Sequence, residues 1–290
     1  MFKITKIKAY FIIINFFLFL TSILHASSFD FKLKEIRGEI NRDNLKVAIN
    51  LLKEINIENE LEQDKINILF GDIYLKINKP QKAEEFYQKA FFASNKEIEA
   101  LSLIGLAEVK LIQGKLNDAI KFSEQSIKIN SDKIRPKIIK AIAKTRLGEN
   151  EEAIKLLNDL YKNTLSADVV LAISDYYISF DNAEQGIKLL EDFLKRIPNN
   201  IKVLDQIASL YLFKNDREKA IEAKFKVFKY YEFNRNIKKA REAKSWILSV
   251  DPNFFDKSQT VKIKENESKD YEEEEIDNYD ENKVTPHYEE

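Results

Sequence analysis

A repeat of about 34 residues, anchored on a small residue, runs through most of the chain. The anchors are 35, 36, 34, 33 and 34 residues apart and are, in order, Ala48, Ala83, Ala119, Ala153, Gly186 and Ala220. Sequence periods of this length are typical of solenoids, in which each repeat is one supersecondary unit that stacks on the next. The repeat therefore predicts a linear array of similar units rather than a single globular core.

The residues around each anchor indicate what the repeating unit is. Five positions before the anchors stand residue types that tolerate a left-handed backbone, namely Asp43, Asn78, Gly114, Gly148, Asp181 and Asn215. Twelve positions before the last five anchors stand small residues, namely Gly71, Ala107, Ala141, Ser174 and Ala208. A small residue on each of two helices lets their axes approach to about 8–10 Å. Each unit is therefore predicted to be a helix, a tight turn and a second, antiparallel helix.

Composition supports a helical fold and excludes several kinds of chemistry. The chain has only 6 Gly and 5 Pro in 290 residues, which argues against turn-rich β-sandwiches and Gly-lined phosphate sites. It has no Cys, and its two histidines, His25 and His287, lie near the two ends. Thiol and imidazole catalysis, disulfides and zinc–thiolate sites are therefore not expected. We expect no enzymatic activity, no cofactor and no metal site.

The anchors and their neighbours resemble the tetratricopeptide repeat (TPR) family. Residues 65–98 match the family pattern best, with small and aromatic positions at Phe70, Gly71, Tyr74, Ala83, Tyr87 and Ala90. The resemblance implies an all-α fold, an α-solenoid of antiparallel helix pairs wound into a right-handed superhelix. Three residues depart from the pattern, because Lys110 and Lys144 stand where Tyr is usual and Gly186 replaces the packing Ala.

The repeat also predicts how the body of the chain is divided. Residues 29–60 indicate a degenerate N-terminal repeat or cap, and residues 61–250 the TPR-like solenoid. Near the C-terminal end of the solenoid the anchor spacing shortens to 20 residues. We therefore expect one long helix at 217–233 and a final helix at 236–249 that carries Trp246.

The N-terminal sequence predicts export. Residues 1–26 combine three early lysines, an apolar run over residues 9–24 and a small residue, Ala26, which is the pattern of a signal peptide cleaved near Ala26. The apolar run is shorter than the roughly 20 residues that span a bilayer. We expect an exported, periplasmic protein. The alternative is that residues 9–24 remain as an anchor in the inner membrane, with the body facing the periplasm.

Residues 256–290 form an acidic tail. They contain 13 Asp or Glu but only 5 Lys, and they include four consecutive Glu at 272–275. Such a segment repels itself and has few apolar side chains to bury, so we expect it to be disordered. An acidic tail on a mildly basic body can also fold back electrostatically. Because the positive charge of the body is small and acids occur in every repeat, nucleic acid is not an expected partner.

The first helix of each repeat lines a concave groove in TPR proteins, and the resemblance implies the same here. The groove positions lie about fifteen, eleven and eight residues before each anchor. The predicted partner-binding residues at these positions are Ile68, Asp72, Leu75, Ile104, Glu108, Leu111, Ile138, Ile142, Leu171, Asp175 and Ile178. Apolar residues thus alternate with an acidic stripe, which consists of Asp72, Glu108 and Asp175.

We expect another envelope protein or peptide segment to dock in this groove. Its apolar side would pack against Ile104, Leu111 and Ile138, and its basic side chains would meet the acidic stripe. The predicted function is a non-catalytic scaffold or adaptor of the bacterial cell envelope that stabilises or localises its partner. The alternative is a self-associating structural or membrane-anchored envelope protein that uses its exposed last helix, around Trp246.

Overall fold

The computed structural model describes residues 28–256. The predicted signal segment, residues 1–26, and residues 257–290 of the predicted acidic tail lie outside the described residues. Between residues 28 and 256 the chain forms helices and no β-strand, which confirms the all-α prediction. The helices are α1 (28–41), α2 (Leu45–Glu54), α3 (Glu60–Lys76), α4 (Pro80–Phe91), α5 (Lys96–Ile112), α6 (Leu116–Ile129), α7 (Ile134–Leu147), α8 (Asn150–Asn163), α9 (Ala167–Ser179), α10 (Ala183–Arg196), α11 (Ile201–Phe213), α12 (Arg217–Phe233) and α13 (Ile237–Val250).

The helices pack in chain order as antiparallel pairs. From α2 onward each helix contacts the next. The first helices of five successive pairs, α3, α5, α7, α9 and α11, also contact one another in series, and we call them the A helices. Their partners, α4, α6, α8, α10 and α12, are the B helices. Because each A helix is followed by an antiparallel B helix, all A helices run in the same direction, and their C-terminal ends lie along one edge of the solenoid.

The turn inside each pair has the left-handed residue that the sequence predicts. The angle φ is positive at all six predicted positions, which are Asp43 (64°), Asn78 (56°), Gly114 (72°), Gly148 (85°), Asp181 (56°) and Asn215 (61°). After α3 the backbone N–H of Lys79 donates to the carbonyl oxygen of Tyr74 at 2.8 Å, and the N–H of Asn78 donates to that of Leu75 at 3.0 Å. This Schellman arrangement satisfies the last carbonyl groups of the helix while the chain reverses.

The side chain of Tyr87 packs between two glycines on neighbouring A helices. Tyr87 of α4 is buried, and a Cβ atom placed on either Gly71 of α3 or Gly105 of α5 would lie 2.4 Å from its ring. The hydroxyl of Ser102 on α5 donates to the carbonyl oxygen of Tyr87 at 2.5 Å. Glycine at both positions therefore allows one B helix to contact two A helices at once.

Two of the residues that depart from the family pattern form ion pairs. Lys110 is buried, and its Nζ lies 2.5 Å from Oε1 of Glu84 on the preceding B helix. The Nζ of Lys144 lies 2.8 Å from Oε2 of Glu152 on the B helix that follows. Both lysines thus occupy the position usual for Tyr and bind a carboxylate in the first turns of a B helix.

The C-terminal end follows the predicted change in helix length. Helices α12 and α13 confirm the long helix and the final helix expected there. Trp246 is half-buried and packs on the C-terminal core, with the Lys224 ammonium 5.1 Å from the ring centroid. The indole of Trp246 covers core residues with one side and keeps some accessible surface, so its part in self-association stays a prediction. None of the helices in residues 28–256 combines the length and the apolar character needed to cross a membrane.

The first and last turns of the solenoid touch. The side-chain amide of Asn236, at the start of α13, donates to the carbonyl oxygen of Arg42 at 2.9 Å, across 194 residues of sequence. The ammonium of Lys238 pairs with the carboxylate of Asp43 at 2.5 Å. Arg42 and Asp43 lie in the turn between α1 and α2. We call this pair of contacts the seam, and it means that the array curves far enough for its two ends to meet.

The packing of Tyr87 predicts that Gly105→Ala lowers the unfolding free energy by about 1–3 kcal/mol, because the added methyl group overlaps a buried ring. Urea denaturation followed by circular dichroism measures this loss. Gly38→Ala in α1 is the matched control, since its Cβ would lie 3.7 Å from the nearest atom. The control is expected to gain about 0.5–1 kcal/mol from the higher helix propensity of Ala. Equal effects of the two substitutions would contradict the close approach.

Candidate partner-binding surface

The predicted groove residues all lie on the A helices. Helix α3 carries Ile68, Asp72 and Leu75, α5 carries Ile104, Glu108 and Leu111, α7 carries Ile138 and Ile142, and α9 carries Leu171, Asp175 and Ile178. Because the A helices contact one another in series, the structure brings these residues onto neighbouring helices. Their burial and their bonds decide which of them remain accessible to a partner.

Two of the predicted groove residues belong to the core instead. Ile68 is 7% exposed and packs with Ala83 and Tyr87 of α4. Ile138 is 2% exposed and packs with Leu157 of α8. A buried side chain offers no surface to a partner, so the prediction is wrong for these two residues. In both pairs the position fifteen residues before the anchor faces the B helix of the same pair.

The other six apolar residues of the predicted groove are half-buried, namely Leu75, Ile104, Leu111, Ile142, Leu171 and Ile178. Ile104 and Leu111, for example, pack against a buried cluster that contains Ala107 and Ile139. Each side chain therefore covers the core with one side and keeps some accessible surface. Their contact with a partner remains a prediction.

The first acid of the predicted acidic stripe is bonded inside the chain. The hydroxyl of Tyr87 donates to Oδ1 of Asp72 at 2.7 Å. Burial raises the pKa of Asp72 from 3.8 to about 6, although the Tyr87 hydrogen bond and the positive charges of Arg37 and Lys76 act in the opposite direction. Burial also raises the pKa of Tyr87 well above its usual value. The carboxyl group of Asp72 therefore serves first as an internal acceptor for a core tyrosine.

The other two acids of the stripe join neighbouring A helices. The guanidinium of Arg135 on α7 pairs with Glu108 on α5, and the amide of Gln206 on α11 donates to Asp175 on α9. A basic side chain from a partner therefore has to displace Arg135 or Gln206. Sequence reasoning missed both residues, because neither stands one full repeat away from its acid. No three acidic or histidine side chains in residues 28–256 are placed to hold a metal ion.

A further set of ion pairs lies near the N-terminal ends of alternate helices. In each pair the lysine stands about one repeat after its acid in the sequence. The three pairs are Lys65 with Asp30 (3.0 Å), Lys133 with Glu97 (3.9 Å) and Lys202 with Asp168 (3.0 Å). Exposed pairs of this kind typically contribute about 0–1 kcal/mol each, so they add little to stability. They add charge to this edge of the solenoid, where Phe31, Phe92 and Leu165 are also exposed.

Large apolar side chains are exposed along the opposite edge. They stand one or two residues before the left-handed turn residue of each A helix and are Ile77, Ile112, Leu147, Phe180 and Phe213. Their exposed fractions run from 37% for Ile77 to 71% for Phe213. We call these five residues the apolar edge. Single exposed apolar residues are normal on protein surfaces, and the recurrence of five in the same register makes this edge a candidate binding surface.

Sequence reasoning missed the apolar edge, although a signal for it exists. Each of its members precedes one of the turn residues that the repeat identifies, and the five are all Ile, Leu or Phe. An apolar residue at a helix end is often covered by the chain that follows the turn, as in the hydrophobic contact of a Schellman motif. Only the structure shows that these five are left exposed.

Comparison with known proteins identifies one repeat and supports the assignment of the overall fold. Residues 64–91, which lie in α3 and α4, match the tetratricopeptide repeat family, and this confirms the position of the best predicted repeat. No curated protein sequence matches the chain. A crystal structure of a thermophilic TPR protein from Thermus thermophilus is similar, with 15% identity and a TM-score of 0.52 over 64% of this chain and 98% of that one.

A second similar structure is the Cut9–Hcn1 hetero-tetramer of the APC/C. It is 14% identical, with a TM-score of 0.50, and the match covers 76% of this chain and 46% of that chain. At such low identities the two structures are evidence for the fold alone. The fold is that of a TPR-like α-solenoid, as the sequence predicts.

The burial of Asp72 predicts a pH-dependent effect of Asp72→Asn. Because the pKa of Asp72 is raised to about 6, the native state binds this proton more tightly than the unfolded chain does, and the stability from this group falls as pH rises from about 4 to above 6. Two pKa units correspond to at most about 3 kcal/mol. Asn keeps an oxygen that accepts from Tyr87 but carries no charge.

We therefore expect Asp72→Asn to have a higher unfolding free energy than the native chain. This gain is expected to be larger at pH 7.5 than at pH 4.5. Urea denaturation at the two pH values measures the difference. Asp192→Asn is the matched control, because the Lys195 ammonium lowers the pKa of the exposed Asp192, so this carboxylate stays ionised between pH 4.5 and 7.5 and its substitution is expected to have nearly the same effect at both pH values. The same pH trend in both variants would contradict the burial of a costly carboxylate at Asp72.

Proposed function

We propose that the chain is a non-catalytic scaffold that binds an amphipathic helical segment of a partner protein along its A helices, with the apolar edge as the main contact. TPR-like helical repeats are typical of protein–protein interaction scaffolds, and the chain has this fold. The observation that carries the proposal is the apolar edge itself, because one large apolar side chain is exposed at the same place in each of five consecutive pairs.

The spacing of the apolar edge suits a helical partner. Packed neighbouring helices lie about 8–10 Å apart, so successive members of the edge are separated by roughly that distance. Two turns of an α-helix rise about 11 Å. A partner helix with an apolar residue at every seventh position therefore presents one side chain to each helix pair. Covering an exposed Phe or Ile contributes about 1–2 kcal/mol, so several such contacts are enough for specific binding.

Residues of the predicted groove extend this contact along the same helices. Leu75, Leu111 and Ile178 precede members of the apolar edge by one or two residues and keep some accessible surface. A basic side chain of the partner reaches Glu108 or Asp175 only by replacing an internal bond. The acidic stripe therefore contributes to the choice of partner more than to the strength of binding.

Self-association is a second candidate, and two exposed side chains favour it. Phe233 at the end of α12 is 82% exposed and Ile237 at the start of α13 is 71% exposed. Two copies that meet at this turn would form an isologous contact. A scaffold that binds a different protein needs no such contact, so the mass of the chain in solution separates the two candidates.

We place this activity in the bacterial cell envelope, on the strength of the signal-like sequence of residues 1–26. The partner is then another envelope protein or a segment of one. The alternative location is the inner membrane, with residues 9–24 retained as an anchor. Both locations present the solenoid to the periplasm.

The role of the apolar edge predicts that Ile112→Ser, Phe180→Ser and Phe213→Ser together reduce partner capture at least about tenfold, because three apolar contacts are lost. Crosslinking in intact cells followed by pull-down and mass spectrometry measures the capture. The matched control is Phe31→Ser, Phe92→Ser and Leu165→Ser, three substitutions of exposed apolar residues that lie away from this edge. If the edge variant captures the same proteins as strongly as the control variant, the proposed contact is wrong.

The proposed location predicts that osmotic shock releases a product that lacks residues 1–26. Mass spectrometry of the shock fluid, the membranes and the cytosol measures its mass and place. Full-length chain in the membrane fraction would support the anchored alternative. Full-length chain in the cytosol would contradict both locations.

A further inference from the structure

A groove at the C-terminal end of the solenoid has no covering helix within residues 28–256. It lies between α12 and α13 and has a volume of about 310 Å³. Phe228, Tyr231 and Ala240 form its apolar floor, and Ile237 stands exposed beside it. Earlier pairs in the array are covered by the pair that follows, whereas α13 is the last long helix described. The groove therefore lies where a further segment of polypeptide would stack.

The rim of the groove is basic. Arg235, Arg241 and Lys244 line it, against a single acid, Glu232. Neither Arg235 nor Arg241 forms an ion pair with a carboxylate of residues 28–256. Two unpaired guanidinium groups beside an apolar floor favour a ligand that carries both carboxylates and apolar side chains, because Arg binds carboxylates in a bidentate manner.

The chain leaves the described region beside this groove. Phe255 lies 5.5 Å from Phe228, ring centroid to ring centroid, and the Lys244 ammonium is 4.9 Å from the Phe255 ring. Phe228 and Lys244 both line the groove. The described chain therefore ends beside the rim at Asp256, and a segment tethered there has a high effective concentration for the groove.

The sequence that follows has the composition that the groove requires. Residues 257–290 contain 12 acidic residues and 5 lysines. Residues 271–279 read Tyr-Glu-Glu-Glu-Glu-Ile-Asp-Asn-Tyr, so four consecutive carboxylates are flanked by Tyr271, Ile276 and Tyr279. The fourteen residues from 257 to 270 reach more than about 40 Å when extended, so length does not prevent this segment from returning to the groove.

We propose that residues 271–279 dock in the groove between α12 and α13 and cap the C-terminal end of the solenoid. The side chains of Tyr271, Ile276 and Tyr279 cover the apolar floor, and the carboxylates of 272–275 pair with Arg235, Arg241 and Lys244. The contact is intramolecular and weakens with salt, because its ion pairs are close to the surface. It shields Ile237 from contact with a second copy of the chain.

The absence of Cys makes a site-specific distance measurement straightforward in the full chain. Spin labels on Ser245→Cys, exposed on α13, and on Asn278→Cys report whether the segment is docked. Docking gives a short distance with a narrow distribution at low salt. A free tether of 22 residues from Asp256 instead gives a broad distribution of roughly 25 Å root mean square. A second label pair, Ser131→Cys with Asn278→Cys, is expected to show a different but equally narrow distance if the segment is docked.

Variants of the segment and of the rim then test the chemistry. Changing all four Glu of 272–275 to Gln leaves the body of the chain unchanged. We expect this variant to reduce the fraction of molecules with the short, narrow distance about tenfold. Changing Arg235, Arg241 and Lys244 together to Gln is expected to reduce the same fraction by a similar factor. Lys121→Gln, Lys128→Gln and Lys155→Gln, three exposed lysines on α6 and α8, are the matched control and should leave the distance unchanged. Circular dichroism verifies that each variant is folded.

Three outcomes would overturn the proposal. The first is a broad distribution in the unmodified chain at low salt. The second is a narrow distribution that survives in the 272–275 variant, because the carboxylates then play no part. The third outcome combines three observations. Light scattering shows a dimer, the triple Arg235, Arg241 and Lys244 variant abolishes it, and the intrachain distance distribution stays broad. The groove would then bind a second copy of the chain. None of these outcomes bears on the apolar edge, so the scaffold function is tested separately.

Discussion

The solenoid depends on close approach between helices at residues that have little or no side chain. At Gly71 and Gly105 a hydrogen atom in place of a methyl group lets the ring of Tyr87 lie between two A helices. A single helix pair leaves one of its apolar faces uncovered, so each pair needs its neighbour for burial. Gly186 follows the same rule, because a Cβ there would lie 3.0 Å from the hydroxyl of Ser174. Close approach within and between pairs is therefore what turns separate hairpins into one continuous core.

The pairs and turns could be predicted from sequence because they depend on local chemistry. Asn78, Gly148 and Asp181 are residue types that enter the left-handed region at low cost, and all three have positive φ. The lengths of α12 and α13 followed from the altered anchor spacing. The seam could not be predicted, because it results from small rotations that accumulate over the whole array and no single residue encodes them.

Less of the candidate surface could be predicted, and the reason is again physical. Ile68 and Ile104 occupy the same place in two repeats, yet one is buried and the other is half-buried, because the neighbouring helices pack differently around them. Arg135 and Gln206 reach their acids across 27 and 31 residues, so a search at the repeat period does not find them. The position of Phe180 just before a turn residue could be read from the sequence. Its solvent exposure could not, because that depends on how the surrounding helices pack.

Under the proposed function, the seam limits the routes by which a long partner polypeptide can reach the inside of the array. In an open array the terminal repeats have one neighbour each, and a partner can slide in past either free end. Here Asn236 and Lys238 hold the turn that contains Arg42 and Asp43, so neither end is free while the contact lasts. A partner that passes through the inside of the array and is folded at both termini has to enter from the side or after these two polar contacts separate, whereas a partner on the apolar edge meets no such barrier. Only the Lys238–Asp43 contact is an ion pair, so we expect higher ionic strength to weaken the hold between the two ends through this contact.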